Sequence, residues 1–161
     1  MIKKFSKFIM IVIIFQFYAC NSTETEGVIG VGASSEFNDV TSYSNYGRNI
    51  DLIAPGGDLE MSSGILGLDD SGTAGEIWQR GLVEDNYSFT NGTSFAAPIT
   101  TGVVALMLSV NPSLTTEQIR DILIQSTDKI GNNAEYINGF DTYRAYGKLN
   151  ATTAVLMAQN Y

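Results

Sequence analysis

Residues 91–98 read Asn91-Gly92-Thr93-Ser94-Phe95-Ala96-Ala97-Pro98, and the fold of the chain turns on how this stretch is taken. Asn91, Gly92 and Thr93 favour a turn, whereas the residues from Ser94 onward are small or apolar and compatible with a helix, so Ser94 falls where one becomes the other. A helix start leaves several backbone N–H groups without intrahelical partners and carries the positive end of the macrodipole. An oxyanion forming beside Ser94 would therefore meet donors already in place. Gly92 lets the backbone come close. Two readings are open at this point: Ser94 is a mounted nucleophile, or it is an ordinary N-cap.

Downstream, the helix expected from about Ser94 to Val110 is apolar nearly all round, which places it in the centre of a domain. Pro98 lies early enough to remove only one backbone bond, and Asn111-Pro112 ends the helix. Thr115 and Gln118 form a capping box with Leu114 and Ile119 as a hydrophobic staple. Ile119, Ile122 and Leu123 then supply the apolar stripe of a second helix to about Thr127. Gly147-Lys148-Leu149-Asn150 precedes a last helix over Ala151–Ala158, expected to cover one side of a sheet.

Upstream, Val28–Ala33 is a short β-branched apolar run, as expected for a strand buried on both faces in a parallel sheet, and Ile50–Ala54 is a second strand ended by Pro55-Gly56-Gly57. The loop between them carries Tyr43 and Tyr46. Residues 58–86 show little periodicity; Asp69-Asp70-Ser71-Gly72 lacks the alternating oxygen ligands of a calcium loop and reads as a turn. Tyr87–Thr90 is a short strand that delivers the chain to Ser94. The class is α/β.

Composition excludes several functions. The 161 residues contain no histidine, which removes imidazole as base, acid or metal ligand unless another chain supplies it. The net charge of −8 and the lack of a Lys/Arg cluster outside the N-terminus argue against nucleic acid. No metal or cofactor is called for. The single cysteine, Cys20, cannot form an internal disulfide.

Its position says more. Lys3, Lys4 and Lys7 form a basic region, Phe8–Phe17 an apolar one too short to span a bilayer, and Ala19 the small residue before Cys20. Residues 1–19 are read as a signal peptide, Cys20 as a lipidated cysteine resembling the lipobox of bacterial lipoproteins, and residues 20–27 as the lipidated residue and its tether. The chain is then exported and held at the cell envelope by its lipid, or otherwise secreted. Cleavage leaves 6 basic and 17 acidic residues, 6 − 17 = −11, a markedly acidic mature chain.

With these segments in order, residues 28–161 resemble the C-terminal part of the catalytic domain of the subtilisin-like serine proteases. Val28–Ala33 is similar to the family's Val-x-x-Val-Gly-Ala strand, Tyr43-Ser44-Asn45-Tyr46-Gly47 to its Phe-Ser-Asn-x-Gly loop, and Asp51–Gly56 to the strand ending in Ala-Pro-Gly. Asn91–Pro98 is similar to the serine signature, with Ile99 where the family often has histidine. The resemblance implies a partial subtilisin-like parallel sheet with a buried central helix starting at the serine, plus C-terminal helices. It implies Ser94 as nucleophile, its own N–H as an oxyanion donor, and support from Thr93, Asn91 and Gly92.

The family's catalytic Asp and His and its oxyanion-hole Asn precede the point where the resemblance begins, and have no counterpart here. The expectation is a serine endopeptidase fragment that is inactive alone and would take a peptide or protein substrate only when completed by an Asp/His-bearing segment. Alternatives are half of a split protease completed by a partner chain, and a non-catalytic surface lipoprotein or interaction module. The pair Glu117/Asp121 and the run Ser126–Lys129 offer formal substitutes for an acid–base set. Both read better as an exposed helix face and a helix end. A sheet lacking its first strands is expected to leave an edge uncovered.

Overall fold

The structure is a computed structural model and describes residues 27–60, 63–68, 87–131 and 135–161. The expected signal peptide, Cys20 with most of its tether, and the Asp69–Gly72 turn lie outside the described residues.

Among the described residues, four short strands and three helices occur in the order β1 (Val31–Ser34), β2 (Leu52–Pro55), β3 (Ile65–Leu68), β4 (Tyr87–Thr90), α1 (Thr93–Val110), α2 (Thr116–Gln125) and α3 (Ala151–Asn160). β1 and β2 are parallel, with Val31 opposite Leu52 and Ser34 opposite Pro55. The ladder begins at Gly30, whose carbonyl accepts Asp51 and Leu52 N–H groups, so β1 starts later than the apolar run that announces it. β2 is the middle strand. On its other side Ile53 N–H donates to Gly147 O at 2.9 Å and Leu149 N–H to Ile53 O at 2.7 Å, which adds residues 147–149 as a third parallel rung.

On the outer side of β1 the expected open edge is partly closed. Ala33 O accepts the Thr41 N–H at 3.1 Å, and Ala33 N–H donates to Ser44 Oγ at 2.9 Å, so the following loop folds back over the end of the strand. Among the described residues, the alternation of the ladder leaves Val31 as the outward-facing position that this loop does not reach.

β3 and β4 form a separate antiparallel ribbon, Ile65 opposite Thr90 and Leu68 opposite Tyr87. β3 is not announced by its sequence. Ile65-Leu66-Gly67-Leu68 follows Gly64 and contains Gly67, so its extended conformation comes from pairing with β4 and not from local pattern.

α1 packs against β1, β2 and α3 through Ala96, Thr100, Val103, Val104 and Met107. By length and composition it could cross a membrane, with a mean hydropathy of 1.6, yet its buried side is the core of this α/β unit. Burial is one-sided: Leu106 and Val110 remain exposed.

α2 has the expected capping box, Thr115 Oγ1 accepting from Gln118 N–H while Gln118 Oε1 accepts from Thr115 N–H. Leu114 and Ile119 are both buried, as a staple requires. Burial of Ile119, Ile122 and Leu123 contributes about 1.5–3 kcal/mol each.

α3 is capped by Asn150, which accepts from Thr153 N–H, and runs to Asn160, beyond the expected Ala158. It lies mainly on α1 and α2 instead of covering the sheet. Its buried residues are Ala154 and Ala158, one turn apart, and such small side chains let a helix approach another helix closely. The Asn111 amide ties the two by donating to Ala158 O at 3.1 Å.

One buried charge joins sheet to helix. Asp51 is 3% exposed, accepts Gly30 N–H at 2.8 Å, and is paired with the Arg120 guanidinium of α2. Removing the carboxylate would leave a buried N–H without its acceptor and a guanidinium without its counter-charge. Asp51→Ala is therefore expected to cost about 2–3 kcal/mol, read as a lower urea midpoint with unchanged slope. An unchanged midpoint would show that the pair contributes nothing.

Candidate active site

The serine turn is built from three constraints. β4 brings the chain to Asn91. Gly92 then adopts φ 149° and ψ 159°, a conformation that residues with a Cβ rarely take, and its N–H donates to Gly56 O at 2.9 Å. Its carbonyl meanwhile accepts from Phe95 N–H at 3.0 Å and Ala96 N–H at 3.4 Å, starting α1. Gly92 thus spends both backbone groups, one on the sheet and one on the helix.

Asn91, Gly92, Thr93 and Ser94 are consecutive around this turn, so the structure brings all four residues of the expected site together. Ser94 is exposed and is the second residue of α1. No side chain caps the helix and its first turn contains no acid. Among the described residues the Thr93 and Ser94 N–H groups have no hydrogen-bond partner, so the donors and the positive helix end face outward beside the Ser94 hydroxyl. An N-cap would use its hydroxyl on the helix; Ser94 sits inside it, and Gly92 occupies the cap. Pro98 lacks the N–H that would otherwise return to the Ser94 carbonyl.

The formal substitutes for a base do not gather here. Glu117 and Asp121 are exposed on α2. Ser126 is buried and donates to Leu123 O at 3.1 Å, while the Lys129 ammonium donates to the Gly139 and Tyr146 carbonyls and lies over the Tyr136 ring. Cys20 lies outside the described residues.

Sequence reasoning missed two residues beside the turn. Gly56 is buried, and a Cβ there would lie 2.5 Å from Ala33 Cβ and 3.1 Å from Gly92 O, so only glycine lets β2 approach the serine turn. The Pro55-Gly56-Gly57 punctuation was its one visible signal. Tyr43 packs against the same spot, its hydroxyl donating to Gly56 O at 2.9 Å. Burial pushes the Tyr43 phenol above its usual pKa, with the nearby Asp58 charge acting in the same direction. Tyr136 is raised as well, chiefly by burial.

The turn thus presents a serine on an uncapped helix start, joined through the Gly92–Gly56 hydrogen bond to the end of the parallel pair. The model of the Subtilase family matches residues 18–148, and the chain belongs to that family. The match starts upstream of Val28, inside the stretch read as the end of the signal peptide and the tether. A calcium-dependent protease of Nostoc sp. is 37% identical over 144 residues, covering 83% of this chain and 21% of that protein. A thermophilic serine proteinase of a Bacillus species is 33% identical over 130 residues, covering 81% of this chain and 25% of its own length. Among solved structures, a protease of Pseudoalteromonas arctica superimposes with a TM-score of 0.68 at 31% identity, over 86% of this chain and 38% of that one. The chain spans about a fifth to a quarter of the length of these curated relatives.

The raised tyrosines give a pH dependence with a definite sign. A phenol that is harder to ionise in the folded state stabilises the fold fully below the unfolded pKa, near 10, and that contribution disappears as pH climbs through the raised folded value. The urea midpoint is therefore expected to fall from about pH 10 upward, and to fall less in Tyr43→Phe/Tyr136→Phe. An identical alkaline decline in that double variant would refute the assignment.

Proposed function

We propose that this chain is the serine-bearing portion of a subtilisin-like serine endopeptidase, with Ser94 as nucleophile, and that the 161 residues alone do not hydrolyse peptides. The observation that carries the reading is the Ser94 hydroxyl, exposed on an uncapped helix start with the Thr93 and Ser94 N–H groups open beside it. In the reaction, Ser94 Oγ attacks the scissile carbonyl carbon, the carbonyl oxygen becomes an oxyanion, and the Ser94 N–H donates to it with help from the Thr93 hydroxyl. The attack also requires a group to take the Oγ proton and return it to the leaving amine. No histidine exists in this sequence to do so. In serine proteases of this type, losing one triad member costs about 10⁴–10⁶ in rate, so the purified chain falls to a trace of family activity.

A fluorophosphonate probe tests this directly. Expected is no prompt labelling of the purified chain, and labelling at Ser94, lost in Ser94→Ala, once a segment carrying the family Asp and His is co-expressed. Prompt labelling of Ser94 in the chain by itself would overturn the claim of inactivity. Labelling that never appears with any complementing segment would instead favour a non-catalytic interaction module. The split-enzyme reading draws support from the outward-facing Val31 position of β1 and the exposed Leu106 and Val110 of α1, an edge and an apolar face that a complementing segment would cover.

The same reading places the chain outside the cytoplasm, held by a lipid on Cys20; the support is the Lys3/Lys4/Lys7 region, the apolar Phe8–Phe17 run and Ala19 before Cys20. Cells fed radiolabelled palmitate should incorporate label into the protein, and Cys20→Ala should abolish it and release the chain from the membrane fraction. Equal membrane retention of the two forms would rule out the lipid anchor.

A further inference from the structure

The loop motif that Tyr43-Ser44-Asn45-Tyr46-Gly47 resembles begins with Phe, so the Tyr43 hydroxyl is a group that the motif itself does not call for. It is put to use. The hydroxyl lies 2.9 Å from Gly56 O and also donates to Gly57 O, so one phenol proton is shared between two successive carbonyls. Gly56 O is at the same time the acceptor of the Gly92 N–H. Burial opposes ionisation of the phenol, while Thr41, the Gly92 backbone and the Asn91 side chain all act on it in the other direction, favouring its ionised form. Tyr43 therefore sits at the joint between the end of β2 and the serine turn, on the carbonyl that carries the bond between them.

That joint needs a brace. Residue 56 must be glycine for the close approach to Ala33 and Gly92, and Gly57 follows at φ 74° with its Cα hydrogens facing the Gly64–Ile65 backbone. Two adjacent glycines carry the greatest backbone freedom, and neither has a side chain through which packing could restrain it. The restraint has to come from outside the dipeptide. Tyr43 can supply it because its own base is fixed: Ser44 N–H donates to Thr41 O at 3.0 Å, and Ser44 Oγ accepts the Ala33 N–H at 2.9 Å, which pins the loop to β1.

We infer that Tyr43 is a positioning residue, whose hydroxyl clamps the Gly56 and Gly57 carbonyls and thereby fixes the seat of Gly92 and Ser94. The inference rests on the reading of Ser94 as nucleophile only for its catalytic consequence. The clamp is tested on the backbone without an activity assay, so its failure would leave that reading intact.

The test compares the uniformly ¹⁵N-labelled full chain with Tyr43→Phe, which removes one oxygen and restores the residue of the related motif. Native-state amide exchange at Gly92 is expected to rise at least ~tenfold, while Val104 and Met107, buried in α1, stay within about twofold. No change at Gly92 overturns the proposal. An equal rise at all three amides overturns it too, because that is the signature of lower global stability and not of a local clamp. A second measurement needs no variant: in the unaltered chain the ¹³C resonances of the Gly56 and Gly57 carbonyls should shift together with ionisation of the Tyr43 ring. Carbonyl resonances that ignore that ionisation would equally overturn the clamp.

Discussion

The hydrogen bond from Gly92 N–H to Gly56 O, 2.9 Å long, is the contact on which the rest of the arrangement depends. Among the described residues it is the one backbone link between the end of the parallel pair and the start of α1, and both partners must be glycine for different reasons. Gly92 needs its φ; Gly56 needs the absence of a Cβ. Through this bond the direction of α1 is set by the sheet, and Ser94 inherits an orientation that its own side chain does nothing to secure. Ser94 is thus placed by main-chain geometry, which leaves its hydroxyl and the neighbouring N–H groups uncommitted.

Around that bond the fold distributes its stabilisation unevenly. α1 buries Ala96, Val103, Val104 and Met107 against β1, β2 and α3, while the opposite side stays open at Leu106 and Val110. Asp51 and Arg120 tie β2 to α2, and Asn111 ties the end of α1 to α3. The C-terminal helices are therefore fastened to the sheet by polar contacts as well as by the core cluster. The β3–β4 ribbon is continuous with the serine turn, and Gly57 and Gly64 pack backbone on backbone where it meets the end of β2.

What the sequence revealed follows the range of the forces involved. The capping box of α2 is a contact across three residues, and Thr115 and Gln118 declare it by type and spacing. The serine turn is likewise local, so Asn91–Ser94 could be recognised before any coordinates. β3 could not, because Gly64 and Gly67 interrupt its pattern and its conformation depends on a partner strand. The docking of α3 on helices, not on the sheet, depended on which neighbour lay nearest Ala154 and Ala158, and no periodicity encodes that. Tyr43 was legible as a loop aromatic and as the first residue of a loop motif, but its hydroxyl meets two carbonyls that are distant in sequence and adjacent in space, which no local pattern encodes.

The third rung of the sheet has a consequence for the life of the chain before it is folded. Ile53 in the central strand takes its second set of hydrogen bonds from Gly147 and Leu149, close to the C-terminus. Until residues 147–149 have docked, β2 has a bare side and no way to complete its ladder. Contacts of such long sequence separation form slowly, since the entropy of closing a large loop is lost before any bond rewards it. Closing the central ladder is therefore a long-range step, whereas the turns of α1 and α2 can form from local contacts alone.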